Sequence, residues 1–271
     1  MIVGLVGAGN MATALARGWA ATEAGPDELV VSDVDVDRAR LLSETVGARS
    51  VSSNRELAES VDVVVLAMKP AALAPVAAEA RAVVAERQLP VVSILGATSV
   101  AQVEEAFGAG TPVLRFMPNV AAEVRRGTFC HAAGAALDAG TERSLLDLFG
   151  LLGELVPVEE RLMDAATAIS GAGPAFMALV IEALTDAGVK HGLTAAQATE
   201  LAVTTMGGSA ELLGHRDAVS LRRQVTSPGG VTAAGIAALE RHGVRAAFSA
   251  AVDAVVERAQ AARPAEGKAG R

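Results

Sequence analysis

The amino-acid sequence predicts an α/β protein in which a doubly wound parallel sheet fills residues 1–158 and an all-α domain fills 159–262. The opening stretch MIVGLVGAGNMATALA runs from an apolar strand through small residues into a helix. Up to Pro157, apolar runs alternate with amphipathic segments, the pattern of successive βαβ units. Beyond Glu159 no convincing strand follows, and Ala, Leu and Glu recur at helical spacing instead.

Ile2, Val3, Leu5 and Val6 leave no polar face, as a central parallel strand covered on both sides requires. Gly7, Gly9 and Ala12 follow at the spacing G-x-G-x-x-A. In a strand-turn-helix, Gly7 would make the tight turn and Gly9 would let the backbone approach a pyrophosphate. Ala12 would bring the helix close to the strand, and the helix start, with Asn10 and Met11, offers amides and a positive dipole end to the anion. Such turns also serve packing alone; a second strand at the expected interval strengthens the dinucleotide reading. That strand ends at Ser32 and Asp33, where a carboxylate could accept hydrogen bonds from an adenosine ribose.

Strands are predicted near 2–6, 28–32, 62–67, 90–94, 112–116, 127–132 and 153–157, with helices over 10–22, 36–46, 54–59, 71–86, 99–107 and 139–150. Ala67-Met68-Lys69-Pro70, Ser93 and Phe116-Met117-Pro118-Asn119 then fall at the carboxyl edge of the sheet, where doubly wound folds bind ligands. Lys69 reads equally as a solvated cation or a cofactor contact, and Asn119 as a turn residue or a ligand.

In the second half, helices are predicted over 161–169, 174–191, 195–213, 217–225, 229–241 and 244–262, with a disordered tail over 263–271. Two glycine-proline breaks interrupt them, Ser170 to Pro174 and Thr226 to Gly230. Leu179 to Val189 and Ala195 to Met206 are apolar around most of their circumference, so a second copy of the chain is expected to cover them. Ser227-Pro228-Gly229-Gly230-Val231-Thr232 opens a helix: either an ordinary start, or one whose amides and Ser227 hydroxyl hold a small carboxylate, with Thr232 one turn further in.

Hydrophobic residues make up 51% of the 271 and aromatics only 3%, which points to a core of Ala, Val and Leu. A net charge of −8 without a basic block argues against a nucleic-acid partner. Four scattered histidines and the single Cys130 give no metal-ligand spacing, and Cys130 and His131 read as structural residues of an apolar strand. No basic-then-apolar leader and no long uninterrupted apolar run is found, so a cytoplasmic protein without a membrane partner is expected. No activated nucleophile and no paired carboxylates stand out.

Several stretches, in order, resemble the pyrroline-5-carboxylate reductases: Val6-Gly7-Ala8-Gly9-Asn10-Met11-Ala12, Leu66-Ala67-Met68-Lys69-Pro70 and Arg115-Phe116-Met117-Pro118-Asn119. The helical half adds Ser170-Gly171-Ala172-Gly173-Pro174-Ala175-Phe176, Glu182 to Gly188, and Val225 to Thr232. The resemblance implies a Rossmann domain followed by a helical dimerisation domain, giving a homodimer or larger homo-oligomer in which partner helices complete each active site. It implies hydride transfer from NADPH, with NADH possible, to the ring carbon of the cyclic imine 1-pyrroline-5-carboxylate, giving L-proline. Thr232 would be the catalytic residue beside the imine nitrogen, and Ser227, Gly229, Gly230, Val231 and Asn119 would bind the substrate. Gly7, Gly9, Asn10, Met11, Ser32, Asp33, Asn54, Ala67, Met68, Lys69 and Pro70 would line the cofactor.

The chain departs from that family's pattern at Val120 and Ala121, at Ala172 and Phe176, and at Val231, each time losing a hydroxyl or a proline. The backbone plan is kept, so a related cyclic imine carboxylate stays open as substrate, an extra methylene being worth only about 1–3 kcal/mol. A β-hydroxyacid-type dehydrogenase would need a catalytic lysine, and Lys190 is the one lysine of the helical half before the tail. A non-catalytic NADPH-binding regulator of the same fold is the third reading.

Overall fold

A computed structural model describes residues 1–262, and the tail expected over 263–271 lies outside the described residues. The described chain divides into two compact units, Met1–Ala172 grouped with residues 255–262, and Gly173–Ala254.

The first unit is built on an eight-stranded sheet in the order β3-β2-β1-β4-β5-β6-β7-β8. The strands are β1 Ile2–Val6, β2 Glu28–Ser32, β3 Arg49–Ser50, β4 Val63–Leu66, β5 Val91–Ser93, β6 Val113–Met117, β7 Gly127–Ala133 and β8 Gly153–Pro157. All neighbours pair in parallel except β6 with β7. The two-residue β3 has no counterpart among the predicted strands: both residues are exposed and polar, so no apolar run marks them.

Period-2 alternation decides what each face buries. Val3, Leu5, Val63 and Val65 point to one face, under helices α1 Asn10–Ala20, α2 Val36–Val46 and α6 Ala139–Gly150. Val6, Val64 and Leu66 point to the other, under α3 Asn54–Ser60, α4 Leu73–Arg87 and α5 Val100–Phe107. Because α1 and α3 cover opposite faces, the strand order reverses between β1 and β4, and their carboxyl ends open a switch-point crevice. The core is mostly Val, Leu and Ala, but four of the seven aromatics, Trp19, Phe116, Phe129 and Phe149, are gathered on one face of the sheet. Phe149 stacks on Phe116 with ring centroids 4.4 Å apart, and Trp19 meets Phe149 edge-on at 5.1 Å.

The first unit runs on to Ala172, past the boundary expected at 158/159. A 3-10 turn, Glu160–Leu162, and helix α7, Met163–Ser170, pack back on the sheet, where Met163 and Ala168 are fully buried and Met163 joins Met117 and Cys130. Further 3-10 turns lie at Pro70–Ala72, so that α4 begins at Leu73 and not at 71, and at Val120–Val124, where no element is predicted.

In the second unit α8 Gly173–Lys190 and α9 Ala195–Leu213 pack on each other, with Gly188 so close to Ala198 that an added Cβ would lie 2.8 Å from its Cβ. They are followed by α10 Ala218–Gln224, α11 Val231–Arg241 and α12 Val244–Ala262, whose residues from Val255 group with the first unit. Helix α11 starts at Val231, not at 229, because Gly229 adopts φ +70° and Gly230 is the N-cap. The stretch Glu160–Lys190 is long and apolar enough to cross a membrane by length and composition alone, yet it contains the break between α7 and α8.

Candidate active site

The crevice is set by the turn after β1. Gly7 has φ +104°, its amide donates to the Ser32 carbonyl at 2.7 Å, and a Cβ there would meet the Ala67 carbonyl and the Met68 nitrogen at 2.9 Å. Only glycine fits this turn. Gly9 differs: its backbone is extended, with φ −77° and ψ −176°, and a Cβ added to it meets nothing within 4 Å. It caps α1 with no side-chain partner, so the α1 start, with Asn10 exposed and Met11 half-buried, faces open space. Open backbone, a free helix start and no Cβ fit a pyrophosphate.

Beside the cradle, the end of β2 is tied down by hydrogen bonds. Asp33 accepts from the Ala8 amide at 2.7 Å and from the Asp35 amide at 2.9 Å. The buried Ser32 hydroxyl donates to Asn54 Oδ1 at 2.8 Å, and Asn54 in turn donates from its side chain to Glu79 at 2.9 Å. Glu79, which no sequence motif pointed out, therefore orients Asn54 across a separation of 25 residues. On the other flank, the Ala67 amide donates to the Val6 carbonyl at 2.8 Å, carrying Met68, Lys69 and Pro70 to the crevice rim, with Lys69 and Pro70 exposed. Gly7, Gly9, Asn10, Met11, Ser32, Asp33, Asn54 and Ala67 to Pro70 thus gather at the carboxyl ends of β1, β2 and β4.

The structure gives the Asn119 side chain backbone partners. It is buried, its Oδ1 accepts from the Ala121 and Thr128 amides at 3.2 and 3.3 Å, and its Nδ2 donates to the Ser170 carbonyl at 3.0 Å. It latches the end of β6 to β7 and to the last turn of α7. A second latch was not legible beforehand: Arg115, buried on β6, pairs with Glu160 at 3.0 Å, and the same Glu160 oxygen accepts the Val100 amide of α5 at 2.6 Å. His131, half-buried on β7, has its basicity lowered by burial, which Glu142 partly opposes. Among the described residues no three His, Cys, Asp or Glu side chains gather into a metal-binding group.

In the second unit, Ser227 to Thr232 form a group of their own. The Gly230 amide donates to the Ser227 carbonyl at 3.0 Å, closing a turn that aims the chain into α11. Gly230 caps α11 with no side-chain hydrogen bond, Ser227 and Thr232 are exposed, and Val231 is 91% exposed. A second helix start is therefore open to an anion.

A doubly wound sheet with a pyrophosphate cradle at its switch point, joined to a helical unit with its own open helix start, defines a dinucleotide-dependent oxidoreductase. Residues 2–96 match a family model described as NADP oxidoreductase, coenzyme F420-dependent, and residues 160–262 match one described as pyrroline-5-carboxylate reductase dimerisation. A pyrroline-5-carboxylate reductase of Synechocystis is 39% identical over 95% of this chain and 97% of its own length. The solved structure of a pyrroline-5-carboxylate reductase from Coxiella burnetii superposes with a TM-score of 0.88 at 30% identity, covering 97% of this chain and 98% of that one. That of a Plasmodium falciparum pyrroline carboxylate reductase, with NADP bound, gives 0.87 at 31% identity over 96% of this chain and 97% of that one. The chain belongs to the pyrroline-5-carboxylate reductase family.

Proposed function

We propose that this chain reduces 1-pyrroline-5-carboxylate to L-proline with a reduced nicotinamide dinucleotide. The observation that carries the reading is the contrast between helix starts. Asp35, Ser53, Ser99, Asp138, Thr194 and Asp217 cap α2, α3, α5, α6, α9 and α10 with their side chains; α4 and α7, at Ala72 and Leu162, lack a side-chain cap but run on directly from 3-10 turns, whereas Gly9 and Gly230 leave α1 and α11 open straight from extended backbone. Two open starts suit two anions: a pyrophosphate behind Gly9 and a small carboxylate behind Gly230.

When bound, the nicotinamide supplies the hydride. The chain's own task is placement. The amides of Gly230, Val231 and Thr232, with Gly229 shaping the turn and the Ser227 hydroxyl beside it, hold the substrate carboxylate. The Thr232 hydroxyl stands at the imine nitrogen. A protonated cyclic imine is already an electrophile, so its ring carbon accepts hydride without a strong acid or base, which accords with a site built largely of glycine, hydroxyls and amides. Asn10, Met11, Asn54 and Met68 to Pro70 line the dinucleotide, NADPH or NADH, and Asn119 acts by holding β6, β7 and α7 in register.

The exposed apolar helices of the second unit and the dimerisation model that they match support a homodimer or larger assembly, in which helices of a second copy complete each site. The location that goes with this reading is the cytoplasm. Val231, apolar and 91% exposed at the mouth of the carboxylate turn, favours one further reading, a larger cyclic imine carboxylate as an alternative substrate. Purified protein with pyrroline-5-carboxylate and NADH or NADPH is expected to oxidise the cofactor with proline as product. No absorbance loss above blank over a wide substrate range would sink the enzyme reading and leave a dinucleotide-binding regulator. Faster turnover of a six-membered cyclic imine would move the substrate assignment to it.

A further inference from the structure

We infer that this chain selects NADH by rejecting the 2′-phosphate of NADPH at the Asp33–Asp35 turn after β2; the inference rests on the reductase reading above. In a doubly wound fold the adenosine ribose of a bound dinucleotide lies beside the end of this strand. Asp33 stands there as a fixed acceptor, with Oδ2 taking the Ala8 amide at 2.7 Å and Oδ1 the Asp35 amide at 2.9 Å. A carboxylate has about four lone-pair sites, so each oxygen keeps one for a further donor. Two ribose hydroxyls can donate to them. A phosphate dianion has nothing to donate and sets charge against charge.

Two of the other places where a phosphate could be held are already taken. Backbone amides at a helix start are the usual anion site. Here the Asp35 carboxylate fills the start of α2, accepting from the Asp37 and Arg38 amides at 3.2 Å each. Arg40 is turned to Asp37 at 2.7 Å, with Glu44 at 4.0 Å on its other side. Val34, fully exposed between the two aspartates, offers no side-chain donor. Arg38 is the remaining cation of the turn, and Asp33, Asp35 and Asp37 outnumber it.

The test is to titrate the full-length protein with NADH and with NADPH by the fluorescence of the reduced nicotinamide, alongside steady-state kinetics with pyrroline-5-carboxylate. Kd and KM are expected to be at least about tenfold lower for NADH, the penalty of like charges set side by side. Asp33→Asn keeps an oxygen for the Ala8 amide and removes the charge, and Asp35→Ser keeps a good helix cap and removes another. Both are expected to narrow the ratio; Asp33→Asn also sets its amide nitrogen against the Asp35 amide and lowers the thermal midpoint, so Asp35→Ser, at an unchanged midpoint, separates selectivity from fold. Equal or tighter binding of NADPH by the unaltered protein overturns the inference. If neither cofactor supports turnover but NADH still binds more tightly, the reductase reading falls and the selectivity stands.

Discussion

Two glycines of one turn have separable jobs. Gly7 is held at φ +104° with backbone atoms of Ala67 and Met68 2.9 Å from any added Cβ. Gly7→Ala should therefore cost about 1–3 kcal/mol from the backbone alone, with more from the clash, and lower the urea midpoint. Gly9 has an ordinary backbone and empty space beyond it, so Gly9→Ala should leave the midpoint unchanged while weakening dinucleotide binding at least about tenfold. Unchanged affinity in Gly9→Ala would remove the pyrophosphate from this cradle. Thr232 is exposed at the second position of α11, where its hydroxyl supports no fold contact that we find among the described residues. Thr232→Ala should lower kcat/KM for the imine about 100-fold, the usual loss of one transition-state donor, at nearly unaltered cofactor affinity. A fall in cofactor affinity as large as the fall in turnover would count against its place at the imine nitrogen.

Helix caps tie local sequence to pH. The Asp138 carboxylate, at the start of α6, is held below the usual carboxylate range by the Thr141 hydroxyl and then the Thr141 amide. Asp217, at the start of α10, is held down in the same way by the Ser220 hydroxyl and amide. A carboxylate whose value is lower folded than unfolded stabilises fully above the unfolded value, near pH 4, and loses that contribution as pH falls through the folded one. Asp138→Asn with Asp217→Asn keeps good caps and should flatten the acid limb of a pH-unfolding series followed by circular dichroism, leaving neutral stability almost unaltered. Such caps are legible because cap and helix are adjacent in the chain, and so is the strand-glycine-helix cradle. What escaped notice acts over distance. Arg115 finds Glu160 45 residues on, and Asn119 finds Ser170 51 residues on. The apolar spacing of Met163 and Ala168 is the same whether α7 packs on the sheet or on the helical unit, so the change of pattern at Glu159, which lies beside the start of the dimerisation match at residue 160, carries no sign that the compact sheet unit runs on to Ala172. The strands of the crevice could be read from periodicity, whereas the residues Ser227 to Thr232 left an ordinary helix start and a carboxylate site both open, and the choice between them and the role of Thr232 came from resemblance, since an open helix start and a capped one differ by a single side chain.

The helical unit carries the argument about assembly. In α8 through α11 only Ala198 and Ala202 are buried, while Leu179, Leu184, Leu201, Val203 and Leu239 are each more than half exposed. Apolar surface gains about 25 cal/mol for every Å² removed from water, so helices this apolar gain most from a partner of the same kind. A second copy offers a self-complementary face, and obligate interfaces of this sort bury roughly 2,000 Å² or more. Sedimentation at micromolar concentration should therefore show dimer or a larger assembly and no appreciable monomer. Leu201→Glu, which sets a charge on α9 of the helical unit, should shift the protein toward monomer and lower imine reduction while leaving dinucleotide binding at the Gly9 cradle in place. A fully active monomer at that concentration would show that one copy completes its own site, and would leave the apolar faces of α8 and α9 without the role argued for them.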